Sequence, residues 1–88
     1  MIRKHVIVHG TVQGVGFRYW TRAEAKRLGV SGWVRNRLDG TVEAELEGKD
    51  ADVDALMDWL RHGPDYAAVS GVDAQNIDPQ GETEFVVL

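Results

Sequence analysis

The sequence contains no cysteine, and that absence removes several chemistries at once. Without thiols there is no disulfide scaffold, no thiolate zinc site, no iron–sulfur cluster and no cysteine nucleophile. Proline is scarce, with two residues in 88, and no low-complexity stretch marks a linker. No apolar run approaches the ~20 residues that a membrane span needs. The first residues, Met1-Ile2-Arg3-Lys4-His5, pass straight into a strand-like pattern without the apolar core of a signal peptide. Positive charge is not in excess either. Ten Lys and Arg face fourteen Asp and Glu, for a net charge of −4, so the electrostatic footprint of a nucleic-acid binder is missing. These absences set the expectation of a cytoplasmic protein with no nucleic-acid partner and no membrane partner.

At 43% hydrophobic and 27% charged, the composition is that of a folded globular chain rather than a disordered one. Its 88 residues are enough for a single domain, residues 1–88, and too few for two usable cores. Such a domain presents one shallow site and cannot enclose a large cofactor. No cofactor and no metal are expected, and a monomer is. An enzyme on this scale uses few groups on a small substrate.

The pattern changes period five times along the chain, which gives about six elements. Residues 2–9 alternate, with Ile2, Val6 and Val8 on one parity and Arg3, His5 and His9 on the other, as in a half-buried strand. Gly10 to Gly16 then place three glycines in seven residues, a loop with unusual backbone demands. Phe17, Thr21, Ala25 and Leu28 recur at helical spacing over residues 17–28, ahead of a Gly29 stop. Two strands, 31–38 and 41–47, flank Asp39-Gly40, a favoured hairpin dipeptide. In the second, Glu43, Glu45 and Glu47 read as a solvated face opposite Val42, Ala44 and Leu46. Val53, Leu56, Met57 and Leu60 define a second helix over 51–62, stopped by Gly63-Pro64. Residues 67–74 form a weaker strand, Asp73 to Asn76 read poorly as one, and 84–88 form a short terminal strand. The order β-α-β-β-α-β plus a short strand predicts an α+β fold. It is the ferredoxin-like split βαβ sandwich, an antiparallel sheet with two helices on one face. That arrangement hosts enzymes, regulators and RNA binders alike, so it does not decide function.

The glycine loop is the strongest local signal. Between a strand and a helix, its amides and the helix's free N–H groups converge, and such a turn binds phosphate-like anions. Arg18 in the first helical turn adds a planar, bidentate donor. A plain strand-to-helix turn with a solvated arginine fits about equally well. Nucleotide motifs fail: Tyr19 stands where a dinucleotide fingerprint needs its third glycine, and Phe17-Arg18 follows Gly16 where a Walker loop needs Lys-Ser/Thr. Asn36 shares parity with Gly32 and Val34, so it is expected on the core face near a strand end, either tidying the hairpin or orienting a water beside a bound anion. His5, His9 and His62 read as solvated, and Trp20, Trp33 and Trp59 as packing. Carboxylates on the open sheet face, where an RNA binder needs aromatic and basic residues, weigh against RNA.

Taken together, these stretches resemble the acylphosphatase family. Val12-Gln13-Gly14-Val15-Gly16-Phe17-Arg18 is similar to that family's phosphate-binding loop. Gly32-Trp33-Val34-Arg35-Asn36, followed by Asp39-Gly40-Thr41-Val42-Glu43, is similar to its second signature. Ala25, Leu28-Gly29 and Gly63-Pro64 also fall where the family has such residues, and the likeness spans nearly the whole chain. The resemblance implies a hydrolase that converts an acyl phosphate and water to carboxylate and inorganic phosphate without a metal. It implies that the backbone amides of Gly14, Val15, Gly16, Phe17 and Arg18 cradle the phosphoryl group. Arg18 binds that group as well, and Asn36 positions the attacking water. Inorganic phosphate and sulfate are then expected as competing anions. A non-catalytic ferredoxin-like module that senses a small anion is the alternative from another class.

Overall fold

Strict alternation in the strands and a 3.6-residue period in the helices sort the apolar residues onto one side of a single sheet. In the computed structural model, which describes residues 1–88, the chain runs β1 (Ile2–Thr11), α1 (Phe17–Leu28), β2 (Ser31–Asn36), β3 (Val42–Gly48), α2 (Asp50–Leu60), β4 (Ala68–Ile77) and β5 (Phe85–Val87). The strands lie in the order β4-β1-β3-β2-β5. The first four pair antiparallel, as expected, while β5 joins the edge parallel to β2, with Phe85 beside Gly32 and Val87 beside Val34. The sheet is therefore mixed. A terminal strand that enters through a long loop has no hairpin to reverse it, so its direction is set by where the loop delivers it.

Register places Val6 opposite Ala44, Val8 opposite Val42 and Val34 opposite Ala44. With Leu46 and Phe85 these residues make the floor of the core, and Phe17 and Ala25 of α1 and Val53, Leu56, Met57 and Leu60 of α2 close it from above. Both helices thus cover the same face. Helix α1 ends on Gly29 in the left-handed conformation, its N–H capping the carbonyls of Ala25 and Lys26.

The opposite face departs from expectation. The Glu43, Glu45 and Glu47 stripe is not solvated: Glu43 and Glu47 are 9% and 5% exposed. Arg3, itself buried, donates to Glu45 at 2.7 Å and to Glu47 at 3.1 Å. His5 lies 2.6 Å from Glu43, which also accepts from Arg35, so His5 is a paired side chain rather than a free one. Alternation alone shows that these carboxylates leave the core. It does not show that Arg3, more than forty residues away in sequence, meets them across the sheet. Burial works against the Arg3 charge, but Glu45 and Glu47 outweigh it and hold the guanidinium more firmly protonated than usual. Glu47 also accepts the amides of Gln80, Gly81 and Glu82, which pins the β4–β5 loop to the sheet.

β4 also corrects a sequence reading. It continues through Asp73-Ala74-Gln75-Asn76 to Ile77, pairing with β1 from Ile7 to Arg3. An edge strand whose side chains are mostly exposed is held by its backbone ladder, which leaves no hydrophobic pattern to read. No helix is long and apolar enough to cross a membrane.

Candidate active site

The site forms where β1 leaves the sheet. A bulge between His9 and Gly10 bends the strand, and Val12, 1% exposed, anchors the turn in the core. Gln13 then ties the loop to the β2–β3 hairpin. Its side-chain amide donates to the carbonyls of Arg37 at 2.7 Å and Thr41 at 3.0 Å. Gly14 and Gly16 both take left-handed dihedrals, φ +74° and +76°, which a side chain would resist. Gly16 is also the N-cap of α1, and it offers no side-chain oxygen to the helix's first amides. No acidic residue stands in that turn. Consequently none of the amides from Gly14 to Tyr19 donates a hydrogen bond within the protein. A helix start normally leaves up to four orphan donors. Here the preceding loop adds its own, a concentration of free donors of the kind that can receive an anion.

These donors border a hollow of about 100 Å³ lined by Val12, Gly14, Gly16, Phe17, Arg18, Tyr19 and Asn36. That is well below the roughly 300–1,000 Å³ of pockets that enclose drug-sized ligands. It suits a small anionic group. Two larger hollows of about 400 Å³ lie elsewhere, one against Lys26 and Phe85 and one against Met1 and Asn76, and neither touches the free amides.

Arg18 is half-buried at the hollow's edge. Its Nη1 donates to the main-chain carbonyl of Leu88 at 2.8 Å, just past β5. One side of the guanidinium is thereby fixed, and the rest of its five N–H donors remain for a ligand. Asn36 shares the parity of buried Val34, so it lies on the core face of β2 as expected. It is nonetheless exposed, because β2 reaches past the end of the packed core and the side chain opens into the hollow. Its amide has no hydrogen-bond partner within the protein. Gly14, Gly16, Phe17, Arg18 and Asn36 are thus brought together. Val15 does not line the hollow. Its side chain packs against the core, and it contributes to the loop through its backbone.

The sequence did not single out Gln13 or Leu88 for these ties. Gln13 donates to a main-chain oxygen 24 residues away, and Leu88 offers its main-chain oxygen to Arg18 70 residues away, contacts that leave no mark in residue type or spacing. The hairpin itself is locked by Asp39, which accepts from the Thr41 hydroxyl at 2.6 Å and the Thr41 amide at 3.0 Å. Those two bonds hold the Asp39 carboxyl below the ordinary range. No three His, Asp or Glu side chains gather as a metal-ligating group.

Comparison with known proteins speaks to the family and the fold. The sequence profile of the family described as Acylphosphatase matches residues 4–87. An acylphosphatase from Moorella thermoacetica is 47% identical over 85 residues, 97% of this chain and 91% of that protein. Among solved structures, the acylphosphatase from Bacillus subtilis superposes with a TM-score of 0.97 at 32% identity, over 100% of this chain and 99% of that one. An acylphosphatase from Coxiella burnetii gives 0.95 at 39% identity, over 99% and 92%. With a match of nearly full length in both sequence and structure, the chain belongs to the acylphosphatase family.

Proposed function

We propose that this chain carries out its family's hydrolysis of acyl phosphates through a cradle of amides, one arginine and one oriented water. The observation that carries the reading is the placement of Arg18 and Asn36 around a small hollow bordered by partnerless amides. The phosphoryl oxygens accept from the amides of Gly14 to Arg18 and from the Arg18 guanidinium. Asn36 holds a water against phosphorus by its side-chain amide. The water oxygen bonds to phosphorus as the bond from phosphorus to the acyl oxygen breaks. The carboxylate leaves with that electron pair, and the water's proton ends on the phosphate or in solvent.

The residues are sufficient for this reaction. A carboxylate is a good leaving group, so no general acid is required. Phosphoryl transfer is mostly positioning and charge stabilisation, and fixed amides with a guanidinium supply both. On this reading no metal takes part. The sensor alternative predicts phosphate binding without turnover.

The site is built from one chain's own loop, helix and strands, which supports a single-domain monomer over residues 1–88. Charged acyl phosphates do not cross membranes unaided, which supports a cytoplasmic enzyme. The test is steady-state hydrolysis of benzoyl phosphate with excess chelator. Turnover unchanged by chelator, and inhibited competitively by phosphate and sulfate, is expected. Binding of phosphate without turnover would establish the sensor instead, and activity abolished by chelator and restored by magnesium would overturn the metal-free mechanism.

A further inference from the structure

In a protein of net charge −4, most arginines are neutralised by an acid. Arg3, Arg27, Arg35, Arg37 and Arg61 each meet a carboxylate. The two arginines that do not, Arg18 and Arg22, stand one turn apart on α1. They share the ring of Tyr19, whose centre is 5.7 Å from the Arg18 guanidinium carbon and 5.8 Å from that of Arg22. Tyr19 in turn lines the anion hollow. We propose that Arg22 is a second cation of the site, one that never touches the substrate and draws its phosphoryl dianion toward the hollow from beyond the Tyr19 ring. The proposal rests on the hydrolytic reading above.

Three observations carry it. First, Arg22 does not serve the helix. The residues three and four positions from it are Tyr19, Arg18, Ala25 and Lys26, none of them acidic. Arg18 and Lys26 are like charges at the spacing of one turn, which costs helix stability instead of adding to it. The helix dipole is already met by Lys26 and Arg27 in the last turn, and Arg22 lies mid-helix. Second, the charge is within reach of the hollow without lining it. The two distances to the Tyr19 ring limit the separation of the guanidinium carbons to about 12 Å, close to the ~10 Å screening length of 0.1 M salt. Third, nothing on the helix or around the hollow cancels the field. No Asp or Glu lines the hollow, and the single acid of α1, Glu24, is held by Arg27 at 2.8 Å. Arg22 is half-buried, so protein of low dielectric backs it on one side and favours the field on the other. A local positive potential therefore marks the entrance to the hollow on a molecule that repels anions as a whole.

The experiment follows benzoyl phosphate hydrolysis at two ionic strengths. Arg22→Gln removes the charge and keeps a polar side chain. In about 10 mM salt it should lower kcat/KM about threefold, through KM alone, with kcat at the wild-type value. In about 0.5 M salt, where screening acts over a few ångströms, the two enzymes should agree. Arg22→Lys keeps the charge and should match wild type at both salts. Lys49→Gln removes the same charge at the far end of the sheet, beyond the Gly48–Ile2 pair, and should leave kcat/KM near wild type. A loss of equal size at both salts, a loss in kcat, or a failure of Arg22→Lys to restore activity would overturn the proposal by revealing a contact or a fold defect. An equal loss in Lys49→Gln would overturn it as well, because net charge alone would then suffice. Affinity for inorganic phosphate, read by titration calorimetry, needs no turnover and should also fall about threefold in Arg22→Gln at low salt only. Failure of wild type to hydrolyse benzoyl phosphate would overturn the hydrolytic reading. Unchanged phosphate affinity in Arg22→Gln at low salt would overturn the attraction itself.

Discussion

On the proposed reading, Arg18 serves the site through geometry as much as charge. Its Nη1 is already committed to Leu88, so the plane of the guanidinium is set before a substrate arrives. Removing it in Arg18→Ala should weaken phosphate binding and lower kcat/KM by roughly 3 kcal/mol, about a hundredfold or more. Arg18→Lys should recover little, because the tetrahedral donors of an ammonium cannot reproduce the planar fork that meets Leu88 on one side and two phosphoryl oxygens on the other. Full activity in Arg18→Lys would remove the planar requirement. Asn36 has a different signature. Asn36→Ala is expected to reduce kcat about a hundredfold while the inhibition constant for phosphate stays near wild type, since a water-holding amide does not bind the anion. Asn36→Asp brings a negative charge next to a dianion, and phosphate affinity should fall. Loss of phosphate binding in Asn36→Ala would make Asn36 a ligand of the anion instead. The placement of both residues beside one hollow was legible in the sequence, because the motifs that carry them are local. The ties made by Gln13 and Leu88 were not, since a main-chain carbonyl looks the same in every sequence.

The elements hold this geometry from below. Strand β2 carries Asn36 at one end and Gly32 near the other, and Gly32 lies at φ +134° where β2 crosses β3. A β-carbon there would come within 1.8 Å of the Glu45 carbonyl oxygen, which is main chain and has no room to yield. Gly32→Ala should therefore displace β2 or β3 and cost about 3 kcal/mol or more, read as a lower midpoint in urea unfolding. An unchanged midpoint would mean that the strands separate freely at this point. Helices and hairpin were readable in the sequence because each presents its own period or turn dipeptide. The ends of β4 and the direction of β5 were not. An exposed edge strand has no apolar face, and the parallel approach of β5 follows from where Glu47 fixes residues 80–82.

At the scale of the molecule, the two faces of the sheet are stabilised by different physics. Apolar burial under the helices is indifferent to pH, whereas the open face depends on ionised carboxylates. Burial raises the Glu43 carboxyl, but hydrogen bonds from His5 and Arg35 and their charges bring it below its ordinary value of 4.5. The Gln80 amide, helped by Arg3 and Gly81, holds Glu47 low in spite of its desolvation. Carboxyls depressed in the folded state contribute stability that is complete above 4.5, their ordinary value, and lost as pH falls through the folded values. The urea midpoint should stay level from about pH 7 to about pH 5 and drop below that. Glu47→Gln should flatten the drop, and an acid limb as steep as that of wild type would show that the loop anchor does not depend on its charge. The acidic stripe, read from alternation as a solvated face, thus proves to be a structural layer.

One experiment isolates the chemistry on which the site's reading depends, the attack of water on phosphorus in a cradle that uses no metal. Benzoyl phosphate is hydrolysed in water enriched in oxygen-18, with chelator present, and the label is located in the products by mass spectrometry. Attack on phosphorus places the heavy oxygen in inorganic phosphate and leaves the benzoate unlabelled. Label in the benzoate would mean attack at the carbonyl carbon and would contradict the roles given to Arg18 and Asn36.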